Sequence, residues 1–181
     1  MGMPAWRYYT VADLLEMPED GNRYEVLHGA LLVTPSPRKV HQRVVLSLAR
    51  RIADFLDRYP VGEVYPGGDL QEGPGSLVMP DLLVHDAVAA GIDSWNTGRV
   101  PLLVVEVLSP STAENDRFRK RRFYQELGIP LYWLVDADAK VGEVWTPESD
   151  FPATEQEEIR WHPEGAREPL VVGLADLFRE V

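Results

Sequence analysis

Val100-Pro-Leu-Leu-Val-Val-Glu-Val-Leu108 is a nearly continuous apolar run interrupted by a single acid. Its valines and leucines read as a β-strand. They occupy both alternating faces, which predicts a strand at the centre of a sheet covered on both sides. Downstream, Ser109-Pro-Ser-Thr112 marks a helix start with Ser111 or Thr112 as cap. That helix is expected to run to about Leu127 and stop at Gly128, with Pro130 beyond. Leu131 to Val135 reads as a second buried strand, and Val141 to Thr146 as its hairpin partner across the Asp136-Ala-Asp-Ala139 turn.

The same reading extends upstream. Leu77 to Val84 is a strand interrupted by Pro80, and Gly62 to Tyr65 is a weaker one. His41 to Tyr59 is a helix, with Val44, Val45, Leu48, Ile52, Phe55 and Leu56 at helical spacing. Arg23 to His28 and Ala30 to Thr34 are two short strands about Gly29, and Thr10 with Asp13 caps a short helix before them. After Pro147 the chain turns acidic and closes with Leu170 to Val172 and a short helix from Leu174 to Phe178. The fold class expected is α/β or α+β, with a mixed central sheet flanked by helices. One domain is expected over residues 1–181, its core at about 23–146 and an acidic extension at 147–181.

Composition narrows the function. The chain has 181 residues, 45% hydrophobic, enough for a core without disulfides. It has no cysteine, which excludes thiolate zinc sites and cysteine nucleophiles. No segment approaches a membrane span and residues 1–10 lack a signal-peptide pattern, so the cytoplasm is the expected location. Eighteen basic against 29 acidic residues give a net charge of -11, unlike a protein that merely coats nucleic acid. The acidity is uneven: residues 141–181 carry 10 acids and 3 bases, leaving 19 acids and 15 bases in residues 1–140. Any polyanion would therefore approach away from the C-terminal quarter.

Three acids stand in strand patterns. Glu106 interrupts the most apolar strand, and Asp81 follows Pro80 ahead of Leu82-Leu83-Val84. A buried carboxylate is costly unless paired, solvated or bound to a cation. One such acid is equally consistent with a structural ion pair, but two in adjacent strands point to a shared cation site. Glu25 is a third, and alone it reads as solvent-facing. In the Arg117-Phe-Arg-Lys-Arg-Arg122 run, Asp116, Lys120 and Tyr124 lie four residues apart along one helix face. An ordinary Asp–Lys surface pair accounts for that spacing. The chain has only three lysines, however, and a lysine amid arginines suits a compact ammonium that orients water. Acids plus lysine match metal-assisted phosphodiester hydrolysis, in which a hard cation takes one or two carboxylates and substrate phosphate. A carboxylate-pair sugar hydrolase would leave Lys120 and the basic run unexplained.

Pro80-Asp81, followed 25 residues later by Glu106 in an apolar strand, resembles the PD-(D/E)XK nuclease arrangement. Tyr24-Glu-Val-Leu-His-Gly29, Ser36-Pro37 with His41-Gln42, Met79-Pro-Asp81, Val104-Val-Glu-Val-Leu-Ser-Pro-Ser-Thr112, Lys120 to Tyr124 and Tyr132-Trp-Leu-Val-Asp136 together resemble the Uma2 family more closely. That family was first catalogued as a domain of unknown function. The resemblance implies a restriction-endonuclease-like core and a DNA endonuclease dependent on Mg2+ or Mn2+. It implies metal ligands at Asp81, Glu106 and the Val107 carbonyl, with Glu25 assisting as a further catalytic acid. The position two after the acid, where the wider pattern has lysine, is Leu108 here. The resemblance moves that role to Lys120, which would orient water or stabilise charge. His41, Asp116 and Tyr124 are possible accessories. The alternative is a catalytically inactive nuclease fold kept for binding or assembly. A homodimer is favoured for cutting two strands, with the hairpin bearing Tyr132, Trp133 and Trp145 as its expected interface. His85-Asp86, His28 and the scattered tryptophans Trp6, Trp95 and Trp161 are weaker candidates.

Overall fold

The structure is a computed structural model that describes residues 7–179. Trp6 lies outside those residues. The chain starts with α1 (Val11–Leu14), where Thr10 and Asp13 form the expected cap: both the Thr10 amide and hydroxyl donate to Asp13 Oδ2 at 2.7 Å. The antiparallel hairpin β1 (Arg23–Leu27) and β2 (Ala30–Thr34) follows. Its two-residue turn places His28 at φ 49° and Gly29 at φ 79°, the doubly positive geometry that matches strand twist. Helix α2 (Lys39–Arg58) comes next, then β3 (Gly62–Pro66), β4 (Leu70–Gln71), β5 (Leu77–Val78), β6 (Leu82–Asp86) and the short α3 (Ala87–Ala90).

The opening stretch becomes β7 (Leu103–Val107), buried along its whole length. A π-helical segment, Asn115–Lys120, leads into α4 (Arg121–Glu126), and Gly128 at φ 70° ends it. The hairpin β8 (Tyr132–Asp136) and β9 (Val141–Trp145) follows, then β10 (Ala153–Glu155), β11 (Glu158–Trp161), β12 (Leu170–Gly173) and α5 (Leu174–Leu177).

The main sheet has the order β10-β9-β8-β7-β6-β3. It is mixed: β7 and β8 are parallel, and the other neighbours antiparallel. Alternation sorts its side chains into two layers. Leu82, Val84, Leu103, Val105, Val107, Trp133 and Val135 pack against α2. Leu83, Val104, Tyr132 and Leu134 face Phe123 and Tyr124 of α4 and the small sheet β2-β1-β5-β4. The architecture is thus α+β, a mixed central sheet with helices on both sides.

Residues after 147 also enter this core. Ile159, Trp161, Leu170, Val172, Leu174, Leu177 and Phe178 share the apolar cluster of α2, so the acidic segment covers a face of the domain. The expected interface in the β8–β9 hairpin is corrected by burial. Tyr132, Trp133 and Trp145 are at most 7% exposed and belong to this chain's own core.

Pro80 decides where the site forms. The stretch 77–84 is not one strand: Leu77 pairs with Val26 in the small sheet, whereas Leu82 pairs with Val105 in the main one. Proline cannot donate to a ladder, and the chain changes sheets there. Asp81 is left just ahead of β6, in register opposite Glu106 near the end of β7.

Candidate active site

The polar residues converge in the gap between the two sheets. Asp81 Oδ2 accepts a hydrogen bond from the Val107 amide at 2.8 Å and lies 3.0 Å from His41 Nε2, on the first turn of α2. The Asp81 amide in turn donates to Glu106 Oε2 at 3.3 Å. Glu106 Oε1 accepts from Lys120 Nζ at 3.0 Å and from the Tyr124 hydroxyl at 2.8 Å. Glu25 Oε1 accepts from the Met79 amide at 2.7 Å and lies 2.9 Å from Lys120 Nζ. Asp116 Oδ1 completes the surround of Lys120 at 3.8 Å.

The π-helical segment explains how three helix residues point inward. An α-helix carries each i+4 step about 40° past the last. A wider i→i+5 turn counters that drift, and such turns are common at functional sites. Asp116, Lys120 and Tyr124 are all at most 2% exposed as a result.

Glu25 is fully buried rather than solvent-facing, because the small sheet lays that face of β1 against α4 and the main sheet. The neighbouring basic residues are largely spent on the chain's own acids. Arg117 binds Asp136 and Glu143 at 2.9 Å, and Arg122 binds Glu126 at 2.9 Å. Arg121 binds Gln125 and lies over the Trp145 ring.

Electrostatics divides the cluster. Burial raises Asp81, but His41, the Val107 amide and Arg23 outweigh it and hold the carboxyl below its ordinary value. Burial pushes Glu106 up to about 8, against the pull of Lys120. Burial likewise raises Asp116. Lys120 would be lowered by burial alone, but Glu106, Glu25 and Asp116 hold it above the ordinary lysine value. Tyr124 is raised by burial and by Glu106 beside it.

Asp81, Glu106, Val107, His41 and Asp116 open onto a cleft of about 450 Å3, together with Arg23. A larger cavity, about 1120 Å3, lies between the 69–76 and 94–101 loops and α4 and touches none of these carboxylates. Arg23 is the residue that sequence reading missed. It is two residues before Glu25 in β1 and so shares its face, which was the available signal. Its Nη1 lies 3.7 Å from Asp81 Oδ1 and its Nε 3.9 Å from Glu25 Oε2.

The donor set suits a hard divalent cation. Among the described residues Glu25, Asp81, Glu106 and Asp116 lie near two permanent cations, Lys120 and Arg23, and burial holds Glu106 and Asp116 toward their neutral forms, which a bound cation would reverse. Glu25 Oε2 is buried with no hydrogen-bond partner. Among the described residues no group of three or more acids and histidines forms a metal cluster by itself. Mg2+ commonly takes one or two protein carboxylates and fills its shell with water and phosphate, and Asp81 and Glu106 on the cleft wall are the acids that could hold it. The weaker candidates lie elsewhere: His85 is buried among Tyr65 and Trp95, Asp86 caps α3 and pairs with Arg99, and exposed His28 pairs with Glu126.

The family described as "Putative restriction endonuclease", Uma2, matches residues 11–176. The chain belongs to the Uma2 family. Among solved structures it is similar to "a putative nuclease belonging to DUF820 from Anabaena variabilis ATCC 29413", at 19% identity and a TM-score of 0.76. That likeness covers 93% of this chain and 97% of the other and shows a shared fold. No curated protein matches. Among the described residues no helix is long and apolar enough to cross a membrane.

Proposed function

We propose that this Uma2 chain is a metal-dependent endonuclease that hydrolyses DNA phosphodiesters. The observation that carries the reading is the facing of Asp81 and Glu106 across the β6–β7 ladder, on the wall of one cleft. These two carboxylates, with the Val107 carbonyl, are the proposed ligands of Mg2+ or Mn2+. When bound, the metal supplies Lewis-acid polarisation of the phosphate and a more acidic water. His41 and the Val107 amide fix one oxygen of Asp81, leaving Oδ1 directed to the cleft with Arg23 beside it. Lys120 and Tyr124 hold Glu106 from the buried side. Hydrolysis adds a water oxygen to phosphorus and breaks one bridging P–O bond, whose oxygen leaves with a proton.

The test is cleavage of plasmid DNA by purified protein with Mn2+, alongside Mn2+ calorimetry. Nicked and linear products are expected, lost in Asp81→Ala. Absence of both cleavage and Mn2+ affinity would return the chain to a non-catalytic binding or assembly role. Double-strand cutting also calls for a dimer, to be read by sedimentation with DNA.

A further inference from the structure

Resting on that reading, we propose that Arg23, rather than Lys120, is the cation that meets the scissile phosphate. Lys120 is enclosed. Its side chain is 2% exposed, and it is absent from the cleft wall. An ammonium has three donors. Two are directed at Glu25 and Glu106 within 3.0 Å, and Asp116 stands on a third side. Contact with a phosphate would require Lys120 to abandon carboxylates that it meets at 2.9 and 3.0 Å, closer than Arg23 comes to Glu25 at 3.9 Å. It is a positioning residue, holding Glu106 and Glu25 at a fixed separation.

Arg23 is in the opposite condition. Its side chain is 31% exposed and forms part of the cleft wall. Both of its carboxylate contacts exceed hydrogen-bonding distance, and its Nε is buried with no hydrogen-bond partner. A guanidinium held at the right place but not saturated is a donor set waiting for a planar or tetrahedral oxyanion. Its fork matches two phosphate oxygens, which a single ammonium cannot do. Lying between Asp81 and Glu25, it would sit beside the non-bridging oxygens of any phosphate that reaches Asp81. A donor already in place there stabilises the charge that grows during attack.

The experiment compares wild type with Arg23→Ala, Arg23→Lys and Lys120→Met. It uses a fluorescent duplex, with Ca2+ replacing Mn2+ so that binding is read without turnover, over a range of salt. Arg23→Ala is expected to reduce the salt slope by about one unit, the signature of one lost phosphate contact. With Mn2+ its kcat should fall about a hundredfold, the scale of one lost oxyanion donor. Mn2+ affinity measured without DNA should not weaken. Arg23→Lys should restore the slope but little of kcat. Lys120→Met, if folded, should keep the slope. A wild-type slope and rate in Arg23→Ala would overturn the assignment, as would a rate loss fully accounted for by weaker Mn2+ binding. Because Arg23 is partly exposed, its variants decide the matter even if Lys120→Met fails to fold. If wild type neither binds nor cuts duplex DNA, the nuclease reading itself fails and takes this assignment with it.

Discussion

The two ends of the carboxylate network are built from the same chemistry and held differently. At the buried end, Glu25, Glu106 and Asp116 surround Lys120, and none of the four is more than 2% exposed. At the cleft end, Asp81 is held by His41 and a backbone amide and approached by the partly exposed Arg23. Burial raises Glu106 and Asp116, whereas hydrogen bonds and nearby cations lower Asp81. Charge in the interior is tolerated only where partners are fixed, while charge at the rim stays available. The buried end is therefore expected to govern stability and geometry, and the cleft end the reaction.

The strongest way to break this division is Lys120→Met. It leaves three buried carboxylates without their common cation, a cost of about 3–5 kcal/mol. In a domain of this size that lowers Tm by about 6–20 °C, read by calorimetry. Cleavage should fall with it because Glu106 loses its anchor. Asp81→Asn should show the opposite pattern. Loss of a proposed metal ligand would remove several kcal/mol of transition-state stabilisation, about a thousandfold in rate. The amide keeps an acceptor for the Val107 amide but loses the charge that His41 and Arg23 favour, so Tm should fall by less than in Lys120→Met. Stability loss in Asp81→Asn equal to that in Lys120→Met would erase the distinction between the two ends.

Much of this could be read from the chain, and the failures have physical causes. Val100 to Leu108 revealed a central strand because a strand buried on both faces has few polar residues. Glu106 was conspicuous for the same reason. The break at Pro80 was visible, but not that the chain changes sheets there, since sheet membership depends on partners distant in sequence. Lys120 stood out by residue type, yet its depth depends on a π-helical turn that no spacing rule announces. Glu25 was misleading because alternation assigns a face without saying what covers it. Arg23 was legible from alternation only once Glu25 was known to face the site. The segment after Pro147 looked like an acidic appendage because its apolar residues are sparse, but they meet α2 in the core.

The division also predicts a pH dependence of the metal-free protein. Glu106 is raised from 4.5 to about 8, so between those values the native state binds a proton that the unfolded chain has released. Stability from this group is then full below about pH 4.5 and is lost as pH rises toward 8. Asp116, raised by burial, acts with the same sign. Asp81 is lowered, so its contribution is lost only as pH falls below the ordinary carboxylate range. His85, lowered by burial, opposes the trend: its contribution is lost as pH falls below 6.5. Melting in EDTA should show Tm falling from pH 7 to 8.5, and Glu106→Gln should flatten that fall. An unchanged slope in the variant would place the titration elsewhere.

Tyr124→Phe is the mildest test. It removes one donor from Glu106 Oε1 without changing the ring, which packs at 5.0 Å between centroids from Tyr132. A lost hydrogen bond of this kind costs about 1–2 kcal/mol, a few degrees in Tm. The hydroxyl favours the ionised carboxylate, so its loss raises Glu106 further. The pH at which the alkaline fall in Tm levels off should therefore move upward. The direction is the informative part, because loss of a hydroxyl that did not act on the Glu106 charge would lower Tm equally at every pH. A Tyr124→Phe protein that melts like wild type at every pH would mean that Lys120 alone secures Glu106. The buried end would then depend on a single ion pair rather than a shared set of donors, and Lys120→Met would account for all of its rigidity.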